Sequence, residues 1–392
     1  MDLISYGRQH IDEDDVQAVV NCLRSSALTQ GPLVFQFEQA VAAYVGARYA
    51  VAVSSGTAGL HLAALAAGVG PANALLTSPI TFVATPNAAL FAGGTPIFAD
   101  IEANTVNISL AAIKEKLAKH TEIRVISPVH FAGLPCDMAA IKKMADGAGA
   151  VIVEDAAHAL GSRYADGSQV GNCRYSLMTV FSFHPVKSIT TGEGGLITTN
   201  DEGTYRKLLR LRSHGINKEA DTYLWPDNAQ TNGVPNPWYY EMQELGFHYR
   251  ITDIQCALGL SQLKKLDAFV ARRQALVKRY DAAFAGLNLI RPAQAAGRAH
   301  SAHHLYPVRI NFADVGTTRA VFMGELRRRG VITQVHYIPV TMQPFYQQLG
   351  CVNADYPQAN AYYAEALSLP LYVDLTDSQQ DSVIALLLEL LG

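Results

Sequence analysis

The chain predicts an α/β fold, a large, mixed but mainly parallel sheet flanked by helices, followed by a smaller C-terminal α+β unit. Three observations predict it. Short apolar, β-favouring runs alternate with helical spacing between Tyr49 and Thr199, the pattern of strands joined by crossover helices. Glycine- and serine-bearing turns follow some of these runs, as in Ser54-Ser55-Gly56-Thr57. From Thr252 the texture changes to long helical patterns with only two strand-like runs among them. These features divide the chain into a large ligand-binding domain, 1–251, and a small domain, 252–392.

The elements follow in order. Ile11 to Leu23 has helical spacing and an acidic start at Asp12 to Asp15, favourable at the positive end of a helix dipole. Leu33 to Val45 is a second amphipathic helix, which Gly46 ends. Tyr49 to Val53 is a strand, and an alanine-rich helix follows its turn. Then come strands at Ala74 to Ser78, Pro96 to Ala99, Arg124 to Pro128, Val151 to Glu154, Met178 to Phe183 and Gly195 to Thr199, with helices at Phe82 to Ala92 and Met138 to Gly147. The second unit reads as helices at Thr252 to Leu263, Leu266 to Phe284, Thr318 to Arg329 and Asp377 to Leu391, with strands at His304 to Asn311 and Val331 to Tyr337. Asn217 to Tyr240 is a long polar and aromatic loop that holds both tryptophans, and loops of this length are usually functional.

Composition excludes several classes. With 49% hydrophobic and 17% charged residues the chain can bury a large core. A formal net charge of -3 provides no basic field, so neither nucleic acid nor an anionic membrane is expected as a partner. The five cysteines, 22, 136, 173, 256 and 351, are scattered without C-x-x-C spacing, which fits a reducing cytoplasm. The segment Met1 to Ser5 lacks the basic head and apolar core of a signal peptide, and apolar runs such as Ala58 to Val69 are too short for a membrane span.

The chemistry concentrates at Phe181-Ser182-Phe183-His184-Pro185-Val186-Lys187-Ser188-Ile189-Thr190-Thr191-Gly192-Glu193-Gly194-Gly195. Here one lysine lies between an apolar strand and a glycine-rich turn. Upstream, Val151-Ile152-Val153-Glu154-Asp155-Ala156-Ala157-His158 is a strand ending in acid. A lysine that forms a Schiff base with pyridoxal phosphate (PLP) needs an aspartate to keep the pyridine nitrogen protonated. Lys187, Asp155 and His158 are therefore the candidate catalytic residues. Asp155 alone could equally cap the next helix, and His158 could be a satisfied core histidine. Ser54-Ser55-Gly56-Thr57-Ala58-Gly59 sets free amides and hydroxyls at a helix N-terminus, where phosphate binds, although ordinary capping uses the same residues. Phe82 is either a ring-stacking or a core aromatic. The spacing of His300, His303 and His304 does not suggest a metal site. Neither a Walker sequence nor GxGxxG occurs.

Together these motifs resemble the DegT/DnrJ/EryC1/StrS sugar aminotransferases. The likeness runs from Leu28-Thr29-Gln30-Gly31-Pro32 through the SSGTAGL, EDAAHA, SFHPVK and GEGG segments to Arg212-Ser213-His214-Gly215, Gly246-Phe247-His248-Tyr249-Arg250 and Val335-His336-Tyr337-Ile338-Pro339. It implies the aspartate-aminotransferase-like type I PLP fold and a homodimer with shared active sites. It also implies that Lys187 carries PLP, Asp155 pairs with the pyridine nitrogen and His158 lies near the cofactor hydroxyl. Phe82 would stack on the ring, and Gly56, Thr57, Ala58 and Ser182 would hold the phosphate. Where many relatives offer a partner-subunit asparagine to the phosphate, this chain has His248, and Arg250 competes for that role. Thr29, His184, His214, His336 and Tyr337 are the implied substrate contacts.

A dehydratase subgroup replaces the lysine with histidine, so Lys187 favours transamination. The SFHPVKSITTGEGG wording and Trp238-Tyr239-Tyr240-Glu241-Met242-Gln243-Glu244-Leu245 are most similar to members serving pseudaminic acid biosynthesis. Those move the amino group of L-glutamate to C4 of UDP-2-acetamido-2,6-dideoxy-β-L-arabino-hexos-4-ulose, through pyridoxamine phosphate (PMP). Members acting on the UDP-4-keto D-xylo epimer, UDP-4-keto-arabinose or dTDP-4-keto-6-deoxy sugars are the alternatives. A non-catalytic PLP-binding regulator is a further class, as is a nicotinamide-dependent dehydrogenase.

Overall fold

The computed structural model describes residues 3–294 and 297–392, so Met1 and Asp2 of the N-terminal segment lie outside the described residues. Its centre is a seven-stranded sheet. The strands are β1 (Tyr49–Val53), β2 (Ala74–Thr77), β3 (Thr95–Phe98), β4 (Ile123–Ser127), β5 (Val151–Asp155), β6 (Met178–Ser182) and β7 (Gly195–Thr199). They lie in the order β1-β7-β6-β5-β4-β2-β3, and β7 alone runs antiparallel to its neighbours. The central strands are buried almost throughout, as expected of a sheet covered on both faces.

The helices begin where the local chemistry predicts. α1 (Glu13–Leu23) opens on a capping box between Asp12 and Asp15. α2 (Pro32–Val45) starts with proline in its first turn and stops at Gly46, which has φ 80°. α3 (Gly56–Ala66) is capped by the Ser55 hydroxyl, which accepts from the Ala58 amide. α4 (Ala84–Phe91), α5 (Leu110–Lys119), α6 (Met138–Ala148) and α7 (Glu202–Arg212) complete the layers around the sheet. α5 and α7 do not show in the sequence pattern, because their charged faces blur the apolar period.

After α8 (Asp253–Leu263) and α9 (Leu266–Phe284) comes a three-stranded antiparallel sheet, Ile290–Pro292, Tyr306–Ile310 and Ala366–Leu369. The expected strand at Val331 to Tyr337 is not one. It makes single bridges, Val331 to Ile4 and Gln334 to Ser368, while Ala366–Leu369 takes the ladder position beside Tyr306–Ile310. Cys256, Leu266 and Phe269 belong to the large unit's core, and the second core draws on α9 from Leu276 onward. The division into 1–251 and 252–392 is a proposal, and the packing of side chains places α8 and the start of α9 on the large unit's side. Among the described residues no helix is long and apolar enough to cross a membrane.

Candidate active site

Parallel strands deliver their carboxyl ends to one edge, where α/β folds place ligands. Here that edge opens into a cavity of about 420 Å³. Its lining gathers Ser55, Gly56 and Thr57 after β1, Thr81 and Phe82 after β2, Asp155 and His158 from β5, and Ser182, His184 and Lys187 from β6 and its turn. Tyr6, His304, His336 and Tyr337 close it from the N-terminal segment and the C-terminal half. A wider groove between α1, α2 and α8, about 730 Å³, lies away from these strand ends.

Register explains the glycines. Val53, Gly195 and Ser182 lie side by side where β1, β7 and β6 meet. A Cβ on Gly195 would come within 2.5 Å of the Ser55 backbone, and one on Gly56 within 2.9 Å of the Ser182 Cβ. Without side chains there, the start of α3 and the end of β6 close into one concave wall of amides and hydroxyls.

Asp155 is 5% exposed. The Thr85 hydroxyl donates to its Oδ2 at 2.6 Å, and the Ala157 amide donates to its Oδ1 at 3.1 Å. Thr85 also bonds Thr81 at 2.8 Å. Behind Asp155, Glu154 is fully buried and accepts from His130 at 2.7 Å, Tyr164 at 2.7 Å and Ser176 at 2.5 Å. Burial opposes its charge, yet His130 and the hydroxyls hold its pKa below the usual carboxylate value. The His130 amide in turn donates to the Asp155 carbonyl at 3.1 Å. This buried network ties β5 to the chain leaving β4 and the chain entering β6.

Lys187 is half-buried against the cavity. Burial lowers its pKa to about 8, with Asp155 acting in the opposite direction. His158 is buried, and burial, then Lys187 and His336, push its pKa well below 6.5. Its Nδ1 accepts from the Ala132 amide at 3.3 Å, which leaves Nε2–H to donate to the Tyr337 hydroxyl at 3.1 Å. His336 bonds Ser368 at 2.9 Å, and burial followed by Lys187 lowers its pKa to about 3. Phe82 is 58% exposed at the mouth, so it is not a core aromatic.

The remaining expected contacts lie elsewhere. Ala58 is buried in the first turn of α3 and does not line the cavity. Thr29 is exposed and bridges Thr252. His214 and His248 are exposed, their rings 5.5 Å apart, and Ser213 bridges His248. Arg250 is outside the lining as well, but its neighbour Tyr249 accepts from the Ser54 amide at 2.8 Å, so this segment runs beside the turn before α3. Sequence reasoning missed Tyr6, Thr85 and the place of His304. Their signals lie in tertiary contacts between residues distant in the chain. The arrangement fits PLP: an amine of lowered pKa, a carboxylate held by two donors, and a glycine-lined helix N-terminus that suits a phosphate.

The DegT/DnrJ/EryC1/StrS aminotransferase family model matches residues 9–388. The chain is 40% identical over 384 residues to the spore coat polysaccharide biosynthesis protein SpsC of Bacillus subtilis (strain 168), covering 97% of this chain and 95% of that one. It is 36% identical over 375 residues to the UDP-4-amino-4,6-dideoxy-N-acetyl-beta-L-altrosamine transaminase of Campylobacter jejuni, covering 95% and 93%. Helicobacter pylori PseC, an aminotransferase involved in the biosynthesis of pseudaminic acid, superposes with TM-score 0.88 at 30% identity over 99% of both chains. Spr1654 from Streptococcus pneumoniae, solved in PLP and PMP forms, superposes with TM-score 0.87 at 29% identity over 99% and 98%. A family match across almost the whole length, with relatives at 40% and 36% identity, settles the relationship: this chain belongs to the DegT/DnrJ/EryC1/StrS aminotransferase family.

Proposed function

We propose that this chain is a PLP-dependent nucleotide-sugar 4-aminotransferase. It moves the amino group of L-glutamate to C4 of UDP-2-acetamido-2,6-dideoxy-β-L-arabino-hexos-4-ulose, yielding UDP-4-amino-4,6-dideoxy-N-acetyl-β-L-altrosamine. The observation that carries the aminotransferase reading is the Lys187 amine in the same cavity as the Thr85-bonded Asp155 carboxylate. The sugar follows from the likeness to the altrosamine transaminase of C. jejuni and to PseC.

Bound here, PLP supplies an aldehyde that takes up an amino group and a ring that draws electrons from the reacting carbon. Asp155, held by Thr85 and the Ala157 amide, keeps a proton on the ring nitrogen. Gly56, Thr57 and Ser182 would hold the phosphate at the start of α3, beside Ala58. Phe82 would cover the ring, and His158 with Tyr337 would border it. Lys187, once its amine is free and neutral, takes a proton from one carbon and returns it to the next. Its place in the wall makes that transfer effectively intramolecular. Glutamate leaves as 2-oxoglutarate before the ketosugar enters, so the kinetics are ping-pong.

His184, His336 and Tyr337 present the sugar side of the cavity. Thr29, His214, His248 and Arg250 do not reach it within one chain, and we place them at the seam with a second copy in a homodimer. A second reading keeps the mechanism and changes the sugar, because the 40% identical relative is named for spore coat polysaccharide biosynthesis.

Product mass and NMR after incubation with L-glutamate and each C5 epimer of UDP-4-keto-6-deoxy-N-acetylhexosamine test the proposal. A 4-amino product from the L-arabino epimer alone is expected. Turnover of only the D-xylo epimer, UDP-4-keto-arabinose or a dTDP-ketosugar would replace the substrate. No product from any of them would favour the regulatory PLP-binding reading.

A further inference from the structure

His304 enters the cavity from the far side of the fold, on the stretch leading into strand Tyr306–Ile310. The preceding residue, His303, has φ 50°, a left-handed turn that aims the chain inward. Two bonds fix the His304 backbone, and a third ties the donor of one of them to Leu371. The His304 amide donates to the Ala132 carbonyl at 3.0 Å. The buried Arg273 guanidinium of α9 donates to the His304 carbonyl at 3.2 Å and to the Leu371 carbonyl at 2.9 Å. The ring packs on His158 with centroids 4.4 Å apart.

The His304 side chain is 3% exposed. Its Nε2 lies 3.5 Å from Lys187 Nζ, while its Nδ1 is buried with no partner among the described residues. The orphan nitrogen decides the tautomer. A buried N–H without an acceptor costs more than a buried lone pair without a donor. The proton therefore sits on Nε2 and points at the lysine.

We propose that His304 is a catalytic residue that acts on the Lys187 amine: its Nε2–H donates to the nitrogen's unshared pair, holding that amine neutral and aimed into the cavity. An ammonium at Lys187 would set two donors against each other, so a proton that Lys187 picks up is passed on rather than kept. The charged and titratable groups facing this pair are His158 from the β5 turn, Asp155 below Lys187, His336 and Tyr337 from the C-terminal half, and Arg273 behind His304. Burial first, then Lys187, His158, Arg273 and His336, disfavour charge on His304 and push its pKa well below the usual imidazole value.

The inference rests on the reading of Lys187 as the cofactor's amine, but its test needs no sugar and no turnover. Acetic anhydride acylates an amine only in its neutral form. The full-length chain, loaded with pyridoxamine phosphate and in parallel stripped of cofactor, is labelled across a pH series, and the Lys187 peptide is quantified by mass spectrometry. In the wild type the midpoint should fall near pH 8. His304→Gln keeps the volume but offers an acceptor as readily as a donor, and His304→Phe keeps the ring and its packing on His158 without a donor. Both should raise the midpoint, the Gln variant by about one unit, which is about tenfold less labelling at neutral pH. Midpoints unchanged or lowered in both variants, with melting temperatures kept, would overturn the role and leave His304 as packing. Failure of the aminotransferase reading would show separately, as absence of product with wild-type Lys187 labelling intact.

Discussion

Asp155 and Trp238 belong to two surfaces built on different plans. The aspartate is 5% exposed, held by two donors, and backed by a buried carboxylate network. Trp238 and Trp225 are 72% and 70% exposed, and Leu224 and Leu245 in the same segment are bare as well. The loop's backbone is nonetheless pinned. Glu241 accepts from the Leu224 amide at 2.7 Å, the Trp225 amide at 2.8 Å and the Tyr239 hydroxyl at 3.1 Å. A segment held this firmly with its aromatics outward is a prepared surface. One chain thus completes the Lys187–Asp155 side of the cavity, while the aromatic loop, outside that lining, stands open on the surface.

The largest effect should fall on the completed half. Lys187→Ala is expected to reduce amino transfer by about a thousandfold or more, since it removes the proton carrier. Stability should not fall with it. Burial depresses the folded-state pKa of Lys187 from 10.5 to about 8. Between those values the unfolded chain binds more protons, so stability rises with pH through that window, and below about pH 8 the charged amine weighs against the fold. The variant's melting temperature at neutral pH should equal or exceed the wild type's. A large drop would mean that Lys187 is structural. The same value predicts that the single-turnover rate of the proton-transfer step rises with pH and levels off above about 8, because only the neutral amine accepts a proton. Asp155→Asn should cost about a hundredfold, as loss of one oriented charge does. Thr85→Val should cost less, and a loss equal to that of Asp155→Asn would show that the hydroxyl itself reacts.

Next in size is a stability effect behind the floor. Glu154→Ala strands His130 and three hydroxyls in a buried space. It should cost about 3 kcal/mol in urea unfolding. A cost below about 1 kcal/mol would show that the network is not what holds the end of β5.

Which parts of this were legible in the sequence follows from where the signal resides. Tyr49–Val53, Gly195–Thr199, Leu266–Phe284 and Asp377–Leu391 carry their period in their own residues, and each forms over the span its pattern predicts. That Lys187 and Asp155 lie where a cavity opens was legible because a strand end and a glycine turn are local features. Glu154 looked like one more strand residue, since its four donors come from three other stretches of the chain. His304 read as the start of a strand in a histidine cluster without metal-site spacing, and its meaning lies in a contact with a residue 117 positions away. Val331 to Tyr337 has strand composition, but Ala366–Leu369 takes the place beside Tyr306–Ile310. Local pattern cannot say which of two suitable runs takes a ladder position.

The smallest effect should come from the open half, and it is the one that distinguishes its two occupants. Trp238→Ser removes an exposed ring from a pinned loop, so unfolding free energy should change by no more than about 0.5 kcal/mol. If the ring packs on the nucleotide sugar, KM for the ketosugar should rise about tenfold while the glutamate half-reaction keeps its rate, because glutamate needs only the floor of the site. If the ring instead meets a second copy, sedimentation velocity of the variant should show dissociation at concentrations where the wild type remains a dimer, and both half-reactions should weaken together with dilution. A variant with unchanged KM, unchanged assembly and unchanged stability would remove the aromatic half from the comparison and leave the sugar to be read by His184, His336 and Tyr337 alone.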